Sequence, residues 1–318
     1  MKVSELLQRK DEKTAFSFEI LPPLKGNSLQ TLFSTIDRLK EFSPQYINIT
    51  THHTEYVYKE LDNGMFQRTS LRRRPGTVAV AAAITYKYGI PTIPHIICSG
   101  FTKEATEYLL IDLQFLGITN LLLLRGDKAK DEKRFTPTND GHAHTTDLIQ
   151  QVNNFNEGLF LDGSPIKSLT TPFEYGVACY PEKHIEAPNE ETDLFYLKMK
   201  QDMGAKYAVT QLFYDNERFY TFVEKARKMG ITIPIIPGIK PFSRKRQLNI
   251  IPETFNVNFP NEFVREVEKC KTDDEVKDFG TEWCIEQCKD LIKHGVPDLH
   301  FYTVGAVETV RKVASEIF

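Results

Sequence analysis

None of the 17 glycines in this 318-residue chain stands two positions from another, so no G-x-G exists and the glycine-rich fingerprint of a Rossmann dinucleotide site is excluded. No glycine is followed by lysine either, which removes the phosphate loop of P-loop NTPases. Charge of neither sign dominates: 40 Lys+Arg stand against 43 Asp+Glu, a net of -3 without the basic footprint of a nucleic-acid binder, so a small-molecule partner is expected. Long apolar runs are absent. No segment approaches the roughly 18 residues of a membrane span, and the opening MKVSELLQRKDEKTAF lacks the apolar stretch of a secretory signal; a cytoplasmic protein is expected.

Cysteine is sparse. Five scattered thiols fit reduced cysteines better than a disulfide framework, and Cys284 with Cys288, four apart on one helix face, lack the partner pair of a zinc site. A histidine metal site is not expected: adjacent His52 and His53 face opposite ways in an extended chain, and His142 and His144 have few carboxylates nearby.

What the chain does contain is a rhythm of short apolar, β-branched runs: FSFEI (16–20), YINIT (46–50), TIPHIIC (92–98), NLLLLRG (120–126), YGVACYP (175–181), YAVTQLF (207–213), IPIIPGI (233–239) and LHFYTV (299–304). Most are continuous rather than alternating, as in strands of a parallel sheet buried on both faces. Between them lie helical stretches at 29–42, 102–117, 190–204, 216–230 and 280–295, several stopped by glycine. Strand and helix alternating at regular spacing predict an α/β fold, a (β/α)8 barrel formed by residues 1–318 as one domain. Two long connections, 52–76 and 153–174, interrupt the rhythm and are candidates for a lid or a subunit contact. The run Arg72-Arg73-Arg74 in the first reads as a solvated loop.

The polar residues in these runs fall near strand C-termini, the catalytic face of such barrels: Glu19, Thr50, His95, Arg125 with Asp127, Tyr180 with Glu182 and His184, Gln211, and Tyr302. Any one of them alone could be a satisfied core residue or a local turn pair. Glu19 stands apart, because a carboxylate inside SFEILPP is costly unless paired or protonated, and burial raises its pKa toward the range of a general acid. Pro22 and Pro23 stop the strand and fix its exit. A Schiff-base aldolase needs a lysine inside a strand; the eight runs have none, and Lys240 just past IPGI is the nearest.

Together SFEILPP, INIT, PHIIC, LLLLRGD, ACYPEKHIEAPN, GAKYAVTQLFYD, IIPGIKP and HFYT resemble the methylenetetrahydrofolate reductase family, in order from Phe16 to Tyr302, and the chain looks like the bacterial catalytic form without an appended regulatory domain. The resemblance implies a barrel that binds FAD without a Rossmann motif. It also implies reduction of 5,10-methylenetetrahydrofolate to 5-methyltetrahydrofolate by NADH or NADPH in ping-pong order, within one-carbon metabolism and methionine supply, in a homo-oligomer. Glu19 becomes the acid that helps open the methylene bridge, and Asp127 the second catalytic carboxylate, near flavin and pterin, tuning the flavin potential. The positions matching FAD contacts are Thr50, His95, Arg125, Gly126, Asp127, Thr145, Tyr180, His184, Asp193 and Lys200. Arg125 and Lys200 suit pyrophosphate oxygens. Gln211 and Gln247 match folate contacts, and Tyr302 a wall of the same pocket.

The chain departs from the pattern in places. After HFYT it reads Val304-Gly305-Ala306 where a small residue, Asn and Arg are common, so a contact to the folate glutamate tail is lost or supplied elsewhere. His144 stands for a frequent Tyr, Thr145 for Ala, and Ile251 for a Phe set against the nicotinamide in some relatives, which leaves the electron donor open. The rivals are a barrel lyase or aldolase, and a flavin- or folate-binding protein without chemistry.

Overall fold

The computed structural model describes residues 2–7, 13–52, 55–71, 73–128, 132, 134–168 and 171–318; His53 and Arg72 lie outside the described residues. The strands are β1 Ala15–Ile20, β2 Ile47–Ile49, β3 Glu55–Glu60, β4 Phe66–Leu71, β5 Thr92–Ile97, β6 Asn120–Leu124, β7 Glu174–Cys179, β8 Tyr207–Thr210, β9 Ile235–Ile236, β10 Gly238–Ile239 and β11 Asp298–Tyr302. The helices are α1 Val3–Leu7, α2 Leu29–Leu39, α3 Thr77–Tyr88, α4 Lys103–Phe115, α5 Thr145–Asn156, α6 Glu190–Asp202, α7 Asn216–Lys228, α8 Gln247–Phe255, α9 Asn261–Lys269, α10 Asp273–Lys293 and α11 Val307–Ile317. Each of the eight apolar runs holds a strand. Strand followed by helix recurs as the alternation predicts, and the fold class is the (β/α)8 barrel.

The chain divides into two compact units, one of Met1–Ile20, Ser34–Asn48 and Glu174–Phe318, the other of Leu21–Phe33 and Ile49–Phe173. In the first, β10, β11, β1 and β2 are neighbours in that order, as are β7, β8 and β9. The run IPIIPGI forms two short strands because Pro237 has no N–H to donate. Before it, β9 pairs with β8; after it, β10 pairs with β11, and the Pro237 carbonyl still accepts from His300 N at 3.1 Å.

Parallel pairing of β1 with β11 sets Ala15 against Asp298, Ser17 against His300 and Glu19 against Tyr302. Side chains two apart share a strand face, so the same two strands carry polar groups at both ends. At the N-terminal end Asp298 is fully buried, accepting from Ser17 Oγ at 2.7 Å and from the Tyr46 hydroxyl, while Ser17 Oγ also meets His300 Nδ1 at 2.8 Å. Burial pushes the Asp298 carboxyl up to about 7 against the lowering effect of those hydrogen bonds. Nearby, α1 is fastened by Ser4, whose N–H and hydroxyl donate to Glu174 at 2.8 and 2.6 Å.

Helix α10 corrects the expected boundary at 280. It begins seven residues earlier, where Thr272 accepts from Glu275 N at 3.2 Å and Asp273, Asp274 and Glu275 fill the first turn, an acidic N-terminus favoured by the helix dipole. Gly280 looks like a helix start but is mid-helix: a Cβ there would stand 2.1 Å from the Phe242 carbonyl, so glycine is what lets α10 approach. The contact closes an aromatic core of Tyr214, Phe242, Phe263, Ile251, Val257 and Val276.

In the second unit β5 and β6 pair in parallel, His95 against Leu122, and β5 is buried at every position. The connection 52–76, expected as a polar loop, holds an antiparallel hairpin of β3 and β4 with Glu60 opposite Phe66. Its turn, Leu61-Asp62-Asn63-Gly64 with Gly64 at φ +75°, is the Asn-Gly signal of a hairpin. Arg74 is not merely solvated: its guanidinium donates to the Pro22 carbonyl. The first residues of the expected connection 153–174 are the last turn of α5, and residues 159–165 fold back through a Leu159–Pro165 bridge.

Candidate active site

Glu19 sits next to last in β1, half-buried, where the strand meets Pro22 and Pro23. Enclosure by protein pushes its carboxyl up to about 8, with the ammonium of Lys240 pulling the other way. Lys240 is lowered by its own burial, raised in turn by Glu19, and its Nζ donates to Val304 O at 3.1 Å. The group opposite, Tyr302, has its phenol pushed well above its ordinary value by burial and by Glu19, and donates to Thr210 O at 2.6 Å. Gly238 permits that ring: a Cβ there would lie 2.6 Å from it and 2.4 Å from Thr210 O. The backbone of Glu19 is held too, since Thr303 Oγ1 donates to its carbonyl at 2.5 Å. The result is a carboxyl on an anchored backbone, raised above neutral pH by its enclosure and facing the Lys240 cation.

Beyond β7 the chain YPEKH turns back on itself. Tyr180 and His184 rings pack edge to face at 4.7 Å, and His184 N donates to Asp193 Oδ2 at 2.9 Å, tying the loop to the first turn of α6. Glu186 N donates to His184 Nδ1 at 3.2 Å, which leaves the ring proton on Nε2. Burial raises Asp193 despite that bond and the charge of Lys200. Lys200 and Asp193, seven apart, share a face of α6, and both act on buried Cys179. Lys183 has φ +78°, a conformation costly for a side-chain-bearing residue, and its Nζ pins the loop through Ala187 O at 2.7 Å. Gln211 Oε1 accepts from Leu212 N at 2.9 Å. Gln247 Oε1 accepts from Ser243 N and Arg244 N, both at 2.9 Å, so this side chain ties down the loop that leads into α8. Ile251 packs in the aromatic core at 2% exposure.

In the second unit Thr50, His95, Arg125, Gly126 and Asp127 lie at or just past strand ends, and Thr145 at the start of α5. His95 is lowered to about 3 by burial and stays neutral. Its carbonyl accepts from Thr51 Oγ1 at 2.5 Å. Arg125 lies over the Phe135 ring at 4.6 Å, and its carbonyl accepts from Ser99 N. Ser99 Oγ donates to Asp127 O at 2.9 Å, and Gly126 between them has φ +82° with only 3.0 Å from a would-be Cβ to Ser99 Cβ. Thr145 opens α5, whose N-cap residue His144 donates its N–H to Asp147 Oδ2 at 2.9 Å.

The model of the methylenetetrahydrofolate reductase family matches residues 2–317. The chain belongs to this family. It is 30% identical to the 5,10-methylenetetrahydrofolate reductase of Salmonella typhimurium over 92% of its own length and 86% of that protein. It is also 30% identical to methylenetetrahydrofolate reductase 1 of Schizosaccharomyces pombe over 100% of its length but 48% of that protein, so it spans about half the length of the eukaryotic relatives it matches. A solved structure from Clostridium thermocellum, an uncharacterized protein that binds two copies of 5-methyl-5,6,7,8-tetrahydrofolic acid, aligns over 99% of this chain and 98% of that one, with a TM-score of 0.57 and 14% identity, a likeness of fold.

For a member of the reductase family, four supporting residues escaped the sequence reading: Thr303, Thr210, Ser99 and Phe135. Thr303 and Thr210 lie in or beside the quoted motifs HFYT and YAVTQLF, yet their work is on backbone carbonyls and amides, which side-chain chemistry does not announce. Ser99 and Phe135 carry no motif at all.

Proposed function

We propose that the chain reduces 5,10-methylenetetrahydrofolate to 5-methyltetrahydrofolate with NADH or NADPH in ping-pong order, as one cytoplasmic barrel domain, residues 1–318, within a homo-oligomer. The observation that carries this reading is the Glu19 carboxyl at about 8 beside Lys240. Opening the methylene bridge requires a proton on the departing amine nitrogen. Glu19 retains one at neutral pH, gives it up at its carboxyl oxygen, and is left as a carboxylate facing Lys240. Tyr302, held by Thr210, walls the pocket, and Gln211 and Gln247 are proposed folate contacts. Gln247 must then turn its amide nitrogen outward, because its oxygen accepts from Ser243 N and Arg244 N.

FAD is the proposed cofactor, and when bound it supplies hydride transfer. The residues present fit an anionic dinucleotide that is not held by a glycine motif. Arg125 brings a fixed charge stiffened by Phe135, neutral His95 can hydrogen-bond without repelling a cation, and Gly126 leaves the backbone bare. With these, Thr50, Asp127 and Thr145 in the second unit, and Tyr180, His184, Asp193 and Lys200 in the first, remain the proposed contacts. Asp127 is also proposed as the second catalytic carboxylate.

Anaerobic stopped-flow absorbance tests this: the protein should be yellow, bleach with NADH or NADPH, and regain colour with methylenetetrahydrofolate. A colourless protein that FAD cannot reconstitute sinks the proposal.

A further inference from the structure

The hairpin of β3 and β4 is a sheet of its own: among the described residues, neither strand pairs with any strand but the other. Two strands alone are marginal in water, and this pair also leaves Val57, Tyr58, Met65 and Phe66 between 47% and 65% exposed. So much apolar surface on one hairpin calls for a covering partner. Neither strand contains a proline or a bulge, the usual devices that keep an exposed edge from pairing.

The backbone says which registers are open. Leu61 N donates to Met65 O at 2.8 Å, so alternation along the ladder makes Lys59–Gln67, Val57–Thr69 and Glu55–Leu71 hydrogen-bonded pairs as well. Tyr56, Tyr58 and Glu60 therefore turn their N–H and C=O groups to the outer edge of β3. An antiparallel strand binds that edge only where outward residues meet outward residues. When the incoming strand is β3 of a second copy, one such register sets Tyr56 opposite Tyr58, Val57 opposite Val57, and Glu55 opposite Lys59 at both ends, so opposite charges meet twice. Sliding two residues either way loses both charge pairs. The edge of β4 is the poorer choice: its central register on itself opposes Arg68 to Arg68, and the chain just past it is taken, Lys25 N donating to Arg73 O at 2.7 Å.

We propose that β3 pairs antiparallel with β3 of a second copy of this chain, with Val57 on the two-fold axis, joining two hairpins into one four-stranded sheet. The contact is isologous and closes at two copies. It also brings Tyr58 and Phe66 of both chains onto one face of the joined sheet, since both lie on the same side of the hairpin. The inference rests on the homo-oligomer reading above, to which it gives a surface, and is independent of the folate chemistry.

Sedimentation velocity of the full chain over a range of concentrations, with two charge variants, is the test. Glu55→Lys and Lys59→Glu each set like charges opposite at both ends, so each alone should raise the concentration at which the assembly falls to half its mass about tenfold, less so at high salt. Mixed one to one, the two variants face opposite charges again, and the wild-type assembly should return. Cross-linking reads the register directly: Val57→Cys lies on the axis in a non-hydrogen-bonded pair, where Cα atoms approach to about 4.5 Å, within disulfide range. Under a mild oxidant it should form a covalent dimer, whereas Tyr58→Cys and wild type should not. An oligomer that ignores both charge variants and in which Val57→Cys does not link overturns the inference and leaves the homo-oligomer reading standing. A chain that stays monomeric at every concentration overturns both.

Discussion

Strands β1 and β11 carry a raised carboxyl at each end, and the two ends differ in what surrounds them. At the N-terminal end Asp298, at about 7, accepts from Tyr46 and Ser17 in a sealed interior. At the C-terminal end Glu19, at about 8, is half-buried and faces a lysine. Burial alone does not make a catalytic acid. The group with hydrogen-bond donors fixed on it holds the sheet, whereas Glu19 faces the Lys240 ammonium at a partly exposed strand end, the setting proposed above for a proton donor.

Amide-for-carboxyl exchange separates the two roles. Glu19→Gln should slow flavin reoxidation by methylenetetrahydrofolate by about 10²–10⁴-fold while leaving reduction by NAD(P)H within about twofold in stopped flow. Asp298→Asn should leave both half-reactions intact; an equal loss there would erase the distinction. Next in size, Asp298→Ala strips the acceptor from Tyr46 and Ser17 in the dry interior and should cost about 2–4 kcal/mol in urea unfolding, with Asp298→Asn recovering most of it.

Smaller is the effect of pH on stability. Both carboxyls have folded values above their unfolded ones, near 4.5 for Glu19 and 3.8 for Asp298. Below about pH 4 both are protonated whether folded or not. From there to pH 7–8 the folded chain keeps protons that the unfolded chain releases, so stability falls as pH rises and levels off above 8. Glu19→Gln should flatten this slope and, after discounting for partial exposure, stabilise the protein by roughly 2 kcal/mol at pH 8.5. An unchanged melting curve at that pH refutes the raised value. Smallest, Tyr302→Phe removes one hydrogen bond to Thr210 and should cost about 1 kcal/mol.

The strands were legible because burial on both faces leaves continuous apolar runs, and Glu19 because a charge in such a run needs a reason. The limits have equally physical causes. Helix α10 was misplaced because Gly280 serves packing against Phe242 rather than a cap. The hairpin β3–β4 was missed because its strands mix polar and apolar residues on exposed faces, though Asn63-Gly64 marked its turn. Gln247, read for its amide, spends the oxygen of that amide on the loop before α8, and Thr303 acts through a hydroxyl on a backbone carbonyl, which no motif spells out.

Pro237 separates the two short strands β9 and β10. In hydrogen-exchange terms it is a missing amide at the point where pairing passes from β8 to β11, and the next residue, Gly238, donates not to a backbone carbonyl but to Thr210 Oγ1 at 2.9 Å. Thr210 also accepts from Tyr302 through its carbonyl. One threonine therefore joins the two sides of the break, so protection of the Gly238 amide reports on the seating of the tyrosine that walls the proposed folate pocket.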